Sequence, residues 1–267
     1  MPALELPDLS LHYEDRGSGP PLLLVAGLAS DSFSWLPVAT PLAARFRTIM
    51  PDNRGVGRTR PQDGPCSIDA IADDCAALLR RLGFERASVL GHSMGGFVAQ
   101  RLAARHPGLV DRLVLVATGT GAGARNAATF EDMAERLDAG EGAERWFRRL
   151  FDAIFTRRFL DDPAKAEAVM AWALNYPWPQ SARAFRRQVD AVIAYDGSAD
   201  VGAIGQQAVR NRPARAAWPA GGAATDEEIR GSGWSEAVPR FTEGLTSGAI
   251  ARGPSARKRK QLRSCRH

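Results

Sequence analysis

Along the first two thirds of the chain, short apolar runs alternate with amphipathic stretches of helical period. That alternation predicts a mainly parallel sheet with helices on both faces. Leu11 to Glu14 and Leu22 to Ala26 are the first strand candidates, and the second is a continuous apolar run suited to a buried strand. Phe46 to Met50 is another, closed by Pro51. Ser67 can cap a helix running to Leu82, with Ile68, Ile71, Ala72, Cys75, Leu78 and Leu79 on one face. Asp69 in its first turn suits the positive end of the helix dipole, and Gly83 stops it. Ala87 to Leu90 reads as a strand, Met94 to Arg105 as a helix and Leu113 to Ala117 as a strand.

From Phe130 to Tyr195 the strand pattern gives way to amphipathic helical stretches such as Ala143 to Phe155 and Ala164 to Leu174. Trp146, Phe147, Phe151, Trp172 and Trp178 supply aromatic surface there. Such an insertion reads either as a helical lid over a site or as one more helical layer. After Ile204 the pattern changes again. Across 205–267 the only Val, Ile and Leu residues are Val209, Ile229, Val238, Leu245, Ile250 and Leu262, too few for a buried segment. The expected organisation is a core over 1–125, a lid over 126–197 and an atypical basic tail over 198–267, either disordered or out of frame, with the last strands of the sheet missing.

With 267 residues and 45% hydrophobic positions, the chain can bury one sizeable core or a core with a lid. The formal charge of +5 changes meaning once divided, because residues 205–267 carry +7 and the remainder −2. The basicity therefore gives no reason to expect a nucleic-acid partner for the body of the protein, and the run Arg257-Lys258-Arg259-Lys260 reads as solvated. No apolar run is long enough to span a bilayer and Met1 to Ser10 has no signal-peptide pattern, so the expectation is a cytoplasmic protein without a membrane partner. Cys66, Cys75 and Cys265 show no paired spacing, and His12, His92, His106 and His267 lack ligand-like spacing with them; neither a metal nor a cofactor is expected.

The chemistry-bearing segment is Val89-Leu90-Gly91-His92-Ser93-Met94-Gly95-Gly96, a G-x-S-x-G string placed between a strand and a helix. A serine on so sharp a turn occupies strained backbone, and bulky neighbours two residues away would clash; hence Gly91 and Gly95. Its hydroxyl would project above the sheet at a helix N-terminus, whose free N–H groups favour developing negative charge.

Two further loops join it. Leu24-Val25-Ala26-Gly27-Leu28-Ala29-Ser30 follows the apolar strand, and Pro51-Asp52-Asn53-Arg54-Gly55-Val56-Gly57-Arg58 follows the next one. With Leu82-Gly83-Phe84 and His106-Pro107-Gly108, these segments resemble a lidded α/β-hydrolase, in the branch that holds small esterases and 3-oxoadipate enol-lactonases. The resemblance spans residues 8 to 204. It implies hydrolysis of a small-molecule ester, lactone or thioester through an acyl-enzyme on Ser93, with the backbone N–H groups of Leu28 and Met94 forming the oxyanion hole. Two departures stand out: Ala26 replaces the usual His of the oxyanion loop, and in the second loop Arg58 follows Gly57 and Thr59 stands where Ser is common. Asp52 is assigned a bracing role.

The same resemblance implies an acid and then a histidine after the lid, each on a loop behind a strand. Neither is assigned. His92 neighbours the nucleophile but reads as packing below the turn, His106 as capping a helix and His12 as part of an N-terminal strand. Only His267 follows in the right order, as the last residue of an apolar-poor tail. The alternative to a working enzyme is a pseudohydrolase that binds a small molecule without turning it over.

Overall fold

A computed structural model describes residues 2–204 and the backbone of 208–210. Seven strands form one sheet: β1 (Ala3–Glu5), β2 (Ser10–Arg16), β3 (Pro21–Val25), β4 (Arg47–Pro51), β5 (Ala87–His92), β6 (Val110–Val116) and β7 (Ala208–Arg210). Their spatial order is β1-β2-β4-β3-β5-β6-β7. β2 pairs antiparallel with β1 and β4, and every later pairing is parallel. The predicted α/β architecture is therefore present, with β3 and β5 at its centre.

The continuous apolar runs have a direct physical cause. Leu23 and Val25 of β3, Ile49 of β4, Val89 of β5 and Leu113 of β6 point into a core shared with α2 (Ile68–Arg81) and α3 (Met94–Arg105). Their neighbours Leu22, Leu24, Met50, Leu90 and Val114 point the other way, against Trp35, Val38, Ala39 and Leu42. Those residues belong to a 3-10 turn (Ser32–Trp35) and α1 (Leu36–Ala43). With both faces covered, alternation disappears from the sequence.

α2 starts where its cap predicts: the Ser67 hydroxyl accepts from the Ala70 N–H at 3.1 Å. Among the described residues, six helices follow β6: α4 (Ala124–Asp138), α5 (Ala143–Ile154), α6 (Arg157–Leu160), α7 (Pro163–Leu174), α8 (Ala182–Ala194) and α9 (Ser198–Ile204). Met133, Trp146, Leu150, Phe151, Phe185 and Val189 make a separate apolar core within this layer, and Leu28 and Ala29 of the loop after β3 pack against it.

One boundary needs correcting. The region beginning at 198 was expected to be an atypical tail, yet Ser198–Ile204 is a helix packed on α3, with Ile204 buried in the main core. At the far edge of the sheet, Leu113, Val114 and Leu115 are in parallel register with Ala208, Val209 and Arg210. Backbone pairing with β6 extends the sheet there, and a scan for apolar runs does not detect so short a segment. The basic remainder of the tail, with Arg257 to Lys260 and His267, lies outside the described residues.

Candidate active site

Ser93 is the single residue linking β5 to α3. Its backbone lies at φ 53°, ψ −121°, a left-handed conformation that L-residues rarely adopt, and the residue is half-buried. Neighbouring hydrogen bonds impose it. The Ser93 N–H donates to Val116 C=O at 3.0 Å, and the Gly96 N–H donates to Ser93 C=O at 2.8 Å. The Ser93 side chain makes no capping hydrogen bond to α3, so its hydroxyl is not spent on the helix.

The glycines are required by contact. A Cβ on Gly91 would overlap the Gly95 carbonyl and lie 2.8 Å from the Ala99 Cβ. A Cβ on Gly95 would overlap the Val25 carbonyl. The turn is thus wedged between two stretches of backbone, with no room for a side chain at either end.

The loop after β3 runs beside it. A Cβ on Gly27 would lie 3.2 Å from the Ser93 Cβ and 3.5 Å from Nδ1 of His92, which places this loop directly against the serine. The buried Asn53 side chain donates through Nδ2 to the Ala26 carbonyl at 3.1 Å. Ala29 lies at φ 56°, and its N–H donates to Oε1 of Gln188 on α8 at 3.1 Å. Ser30 closes the turn, its N–H reaching Gly27 C=O and its hydroxyl reaching Leu28 C=O, each at 3.3 Å. Among the described residues, the Leu28 N–H donates to no backbone carbonyl of this turn.

The loop after β4 braces rather than reacts. Asp52 is fully buried; its Oδ1 accepts from Ser32 N–H at 3.0 Å, and its Oδ2 accepts from Arg58 N–H at 2.9 Å and Arg58 Nε at 3.1 Å. Arg58 also reaches Oε1 of Glu14 at 2.9 Å, and its guanidinium lies over the rings of Phe33 and Trp178. The Thr59 hydroxyl donates to Asp52 C=O at 2.6 Å and accepts from His12 N–H at 3.0 Å. Arg54 ties Asp74 of α2 to Asp8.

His106 and His12 each face a carboxylate. Nε2 of His106 lies 2.8 Å from Oδ1 of Asp73, and its Nδ1 lies 3.1 Å from Arg80, which ties the end of α3 to α2. His12 is buried in β2 with Nε2 3.5 Å from Oε1 of Glu14, and burial lowers its pKa. Burial pushes the His92 imidazole down to about 4, which leaves it neutral near pH 7.

The structure brings together Ser93, Gly91, Gly95 and the loop after β3, the segments singled out in the sequence. Sequence reasoning missed Asn53, Gln188 and the pair formed by Asp31 and Tyr176, whose hydroxyl hydrogen-bonds Oδ2 of Asp31. No motif marks these residues; a lone polar position on the apolar face of α8 was the only available signal for Gln188. Among the described residues, no group of three or more His, Cys, Asp or Glu side chains could hold a metal ion. Nor is any helix among them long and apolar enough to cross a membrane.

Comparison with known proteins gives a consistent picture. A family model described as alpha/beta hydrolase fold matches residues 20–190. RutD of Azorhizobium caulinodans, whose name assigns it provisionally as a carbamate hydrolase, is 30% identical over 199 residues, 74% of each chain. An uncharacterised Mycobacterium tuberculosis protein is 43% identical over 107 residues, 31% of its chain. Among solved structures, the enol-lactonase of Burkholderia xenovorans LB400 superposes with a TM-score of 0.67 at 24% identity, over 76% of this chain and 77% of its own. A thermophilic esterase from Thermogutta terrifontis superposes at 0.64 with 25% identity, over 75% of both chains.

Proposed function

The chain belongs to the alpha/beta hydrolase fold family, and from that premise we propose that it is a serine hydrolase acting on a carboxylic ester, lactone or thioester. Ser93 is the nucleophile. The observation that carries this reading is its left-handed backbone on a one-residue strand-to-helix turn, half-exposed and beside the Gly27 loop. Strain of this kind costs about 1–3 kcal/mol and persists where the surroundings enforce it, commonly at reacting groups.

In the proposed reaction Ser93 Oγ attacks the substrate carbonyl while its proton passes to a base. The resulting oxyanion is stabilised by the N–H groups of Leu28 and Met94, the latter at the unsatisfied N-terminus of α3. Collapse expels the alcohol or thiol, which takes up the proton, and an acyl-enzyme remains. Water then attacks the acyl group by the same route and restores Ser93. Helices α4–α8 form the lid, whose apolar core meets Leu28 and Ala29 and excludes water from that side.

The test is labelling with a fluorophosphonate, which phosphonylates activated serines. The expected result is a single adduct on Ser93 that is lost in Ser93→Ala. A folded protein left unlabelled, or labelled elsewhere, overturns the assignment.

The engagement of His106 with Asp73 and Arg80, and the burial of His12, favour a second reading: a binding protein with the oxyanion cradle but without turnover. That form ignores the probe yet gains thermal stability with a small carbonyl ligand.

A further inference from the structure

We infer that Gln188 is a positioning residue, through which the helical lid sets the orientation of the oxyanion loop. The inference rests on the reading of Leu28 N–H as an oxyanion donor and extends it to a residue on a different element.

Gln188 is completely buried on α8, and its amide joins three segments of chain. Oε1 accepts from Ala29 N–H at 3.1 Å and from Nε2 of Gln180, in the connection between α7 and α8, at 3.1 Å. Nε2 donates to Arg54 C=O at 2.7 Å, in the loop after β4. Close to that loop, a Cβ on Gly55 would be 3.4 Å from Cγ of Gln188. Gln180 also donates to Gly55 C=O at 2.9 Å. A buried amide with its acceptor and a donor both paired is rigid, and unpairing it carries the full desolvation cost.

Peptide planarity turns this contact into control of the oxyanion donor. The Leu28 N–H belongs to the peptide between Gly27 and Leu28. The preceding peptide is held through Ala26 C=O by Asn53, and the following one through Ala29 N–H by Gln188. Each peptide is a rigid plane, so pinning both neighbours fixes the two Cα atoms that carry the central peptide, and the Ser30 N–H on Gly27 C=O at 3.3 Å sets its rotation between them, all without using the hydrogen bond that its N–H must keep for substrate. One pin comes from the sheet side and the other from the lid. Ala29 at φ 56° is a conformation alanine does not hold unaided, so its N–H partner matters. When α8 moves away, the second pin leaves with it.

The experiment pairs amide hydrogen exchange of residues 26–30 with the rate of fluorophosphonate labelling, in wild type, Gln188→Met, Gln188→Glu and Gln62→Ala. Met keeps the length and loses the acceptor. Glu, which burial favours in its protonated form, keeps an acceptor for Ala29 and a donor for Arg54 C=O, and so serves as the conservative rescue. Gln62→Ala cuts other lid contacts, those to Pro179 and Ser181, without touching the loop. The expected result for Gln188→Met is loop exchange about tenfold faster, the loss of one hydrogen bond. Labelling is expected to slow about tenfold, less than the roughly hundredfold or greater loss on deleting an oxyanion donor outright. Glu should recover most of the loop protection, and Gln62→Ala should leave both readouts near wild type. Unchanged exchange in Gln188→Met, or equal acceleration in Gln62→Ala, overturns the inference. Faster exchange in a protein that no probe labels supports the coupling and overturns the nucleophile assignment instead.

Discussion

Gly95 meets Val25 backbone to backbone: a Cβ on the glycine would overlap the Val25 carbonyl oxygen and lie 2.7 Å from that of Ala26. The first turn of α3 is therefore seated on the end of β3, the strand that leads into the Gly27 loop. Gly95→Ala has to separate helix from strand, and overpacking of this kind costs about 1–3 kcal/mol. Nothing surrounds the Cβ position of Gly108 within 4 Å, so Gly108→Ala should change stability by less than about 0.5 kcal/mol. Urea unfolding of the two variants gives the comparison, and similar midpoints would refute the packing account.

Ser93→Gly should make the protein more stable while ending its reaction with a fluorophosphonate. Glycine adopts φ 53° without the Cβ penalty. Relief of strain is worth about 1–3 kcal/mol, offset in part by about 1 kcal/mol from the greater freedom of glycine in the unfolded chain. The expected net gain is about 1 kcal/mol, read as a higher urea midpoint. A lower midpoint for Ser93→Gly than for Ser93→Ala means that the turn stores no strain.

The pair of Asp31 and Tyr176 fastens the end of α7 to the loop before α1, and it should do so in a pH-dependent way. Burial, and then the nearby Asp52 carboxylate, raise the Asp31 pKa above its ordinary 3.8. A raised carboxyl favours the fold in acid; that contribution is lost as pH climbs from about 3.8 through the raised value. The Tyr176 hydroxyl acts against the rise, because it donates to the ionised form. Tyr176→Phe should therefore cost more at pH 7, about 1.5–3 kcal/mol for a bond to a charged acceptor, than at pH 3.5, where about 1 kcal/mol is expected. Unfolding of both proteins at the two pH values measures the difference, and a pH-independent cost removes Asp31 from the account.

How much of this was legible beforehand follows from the kind of signal each part leaves. β3, α2, β5 and α3 are marked by a long apolar run, a serine cap, a helical stripe and a glycine stop, all of which are local. α1 left no such mark, since Pro37 and Pro41 punctuate it and its face is set by packing on Leu22 and Leu24. β7 has three residues and is recognised through its partner β6. At the site, Ser93 and its glycines answer to local backbone geometry and so appear as a motif. Gln188 lies 159 positions from Ala29, and a contact across that separation leaves no periodicity. Asn53 stands at a variable position of its loop, with a role that depends on where β3 ends.

Arg58, which follows Gly57 in the second loop, gives the most demanding test of the bracing assigned to Asp52. Its Nε and N–H both reach Oδ2 of Asp52, which is fully buried, and its remaining nitrogens reach Glu14 and the Ser32 hydroxyl. The guanidinium centre lies 5.0 Å from the Phe33 ring and 4.9 Å from the Trp178 ring, joining a core loop to the connection between α7 and α8. Arg58→Met keeps much of the volume and the backbone N–H but leaves the carboxylate with a neutral partner set. Removing one member of a buried pair typically costs about 3–5 kcal/mol. Arg58→Lys should recover little of that, because an ammonium cannot serve Asp52, Glu14 and two ring faces from one plane. Adding Asp52→Asn to Arg58→Met removes the stranded charge, so the double variant should be more stable than the sum of the two single losses by about 1–3 kcal/mol. A double-mutant cycle by urea unfolding measures this coupling. Strict additivity would show that Asp52 is held by the Ser32 and Arg58 backbone N–H groups alone, with the guanidinium serving only the rings and Glu14.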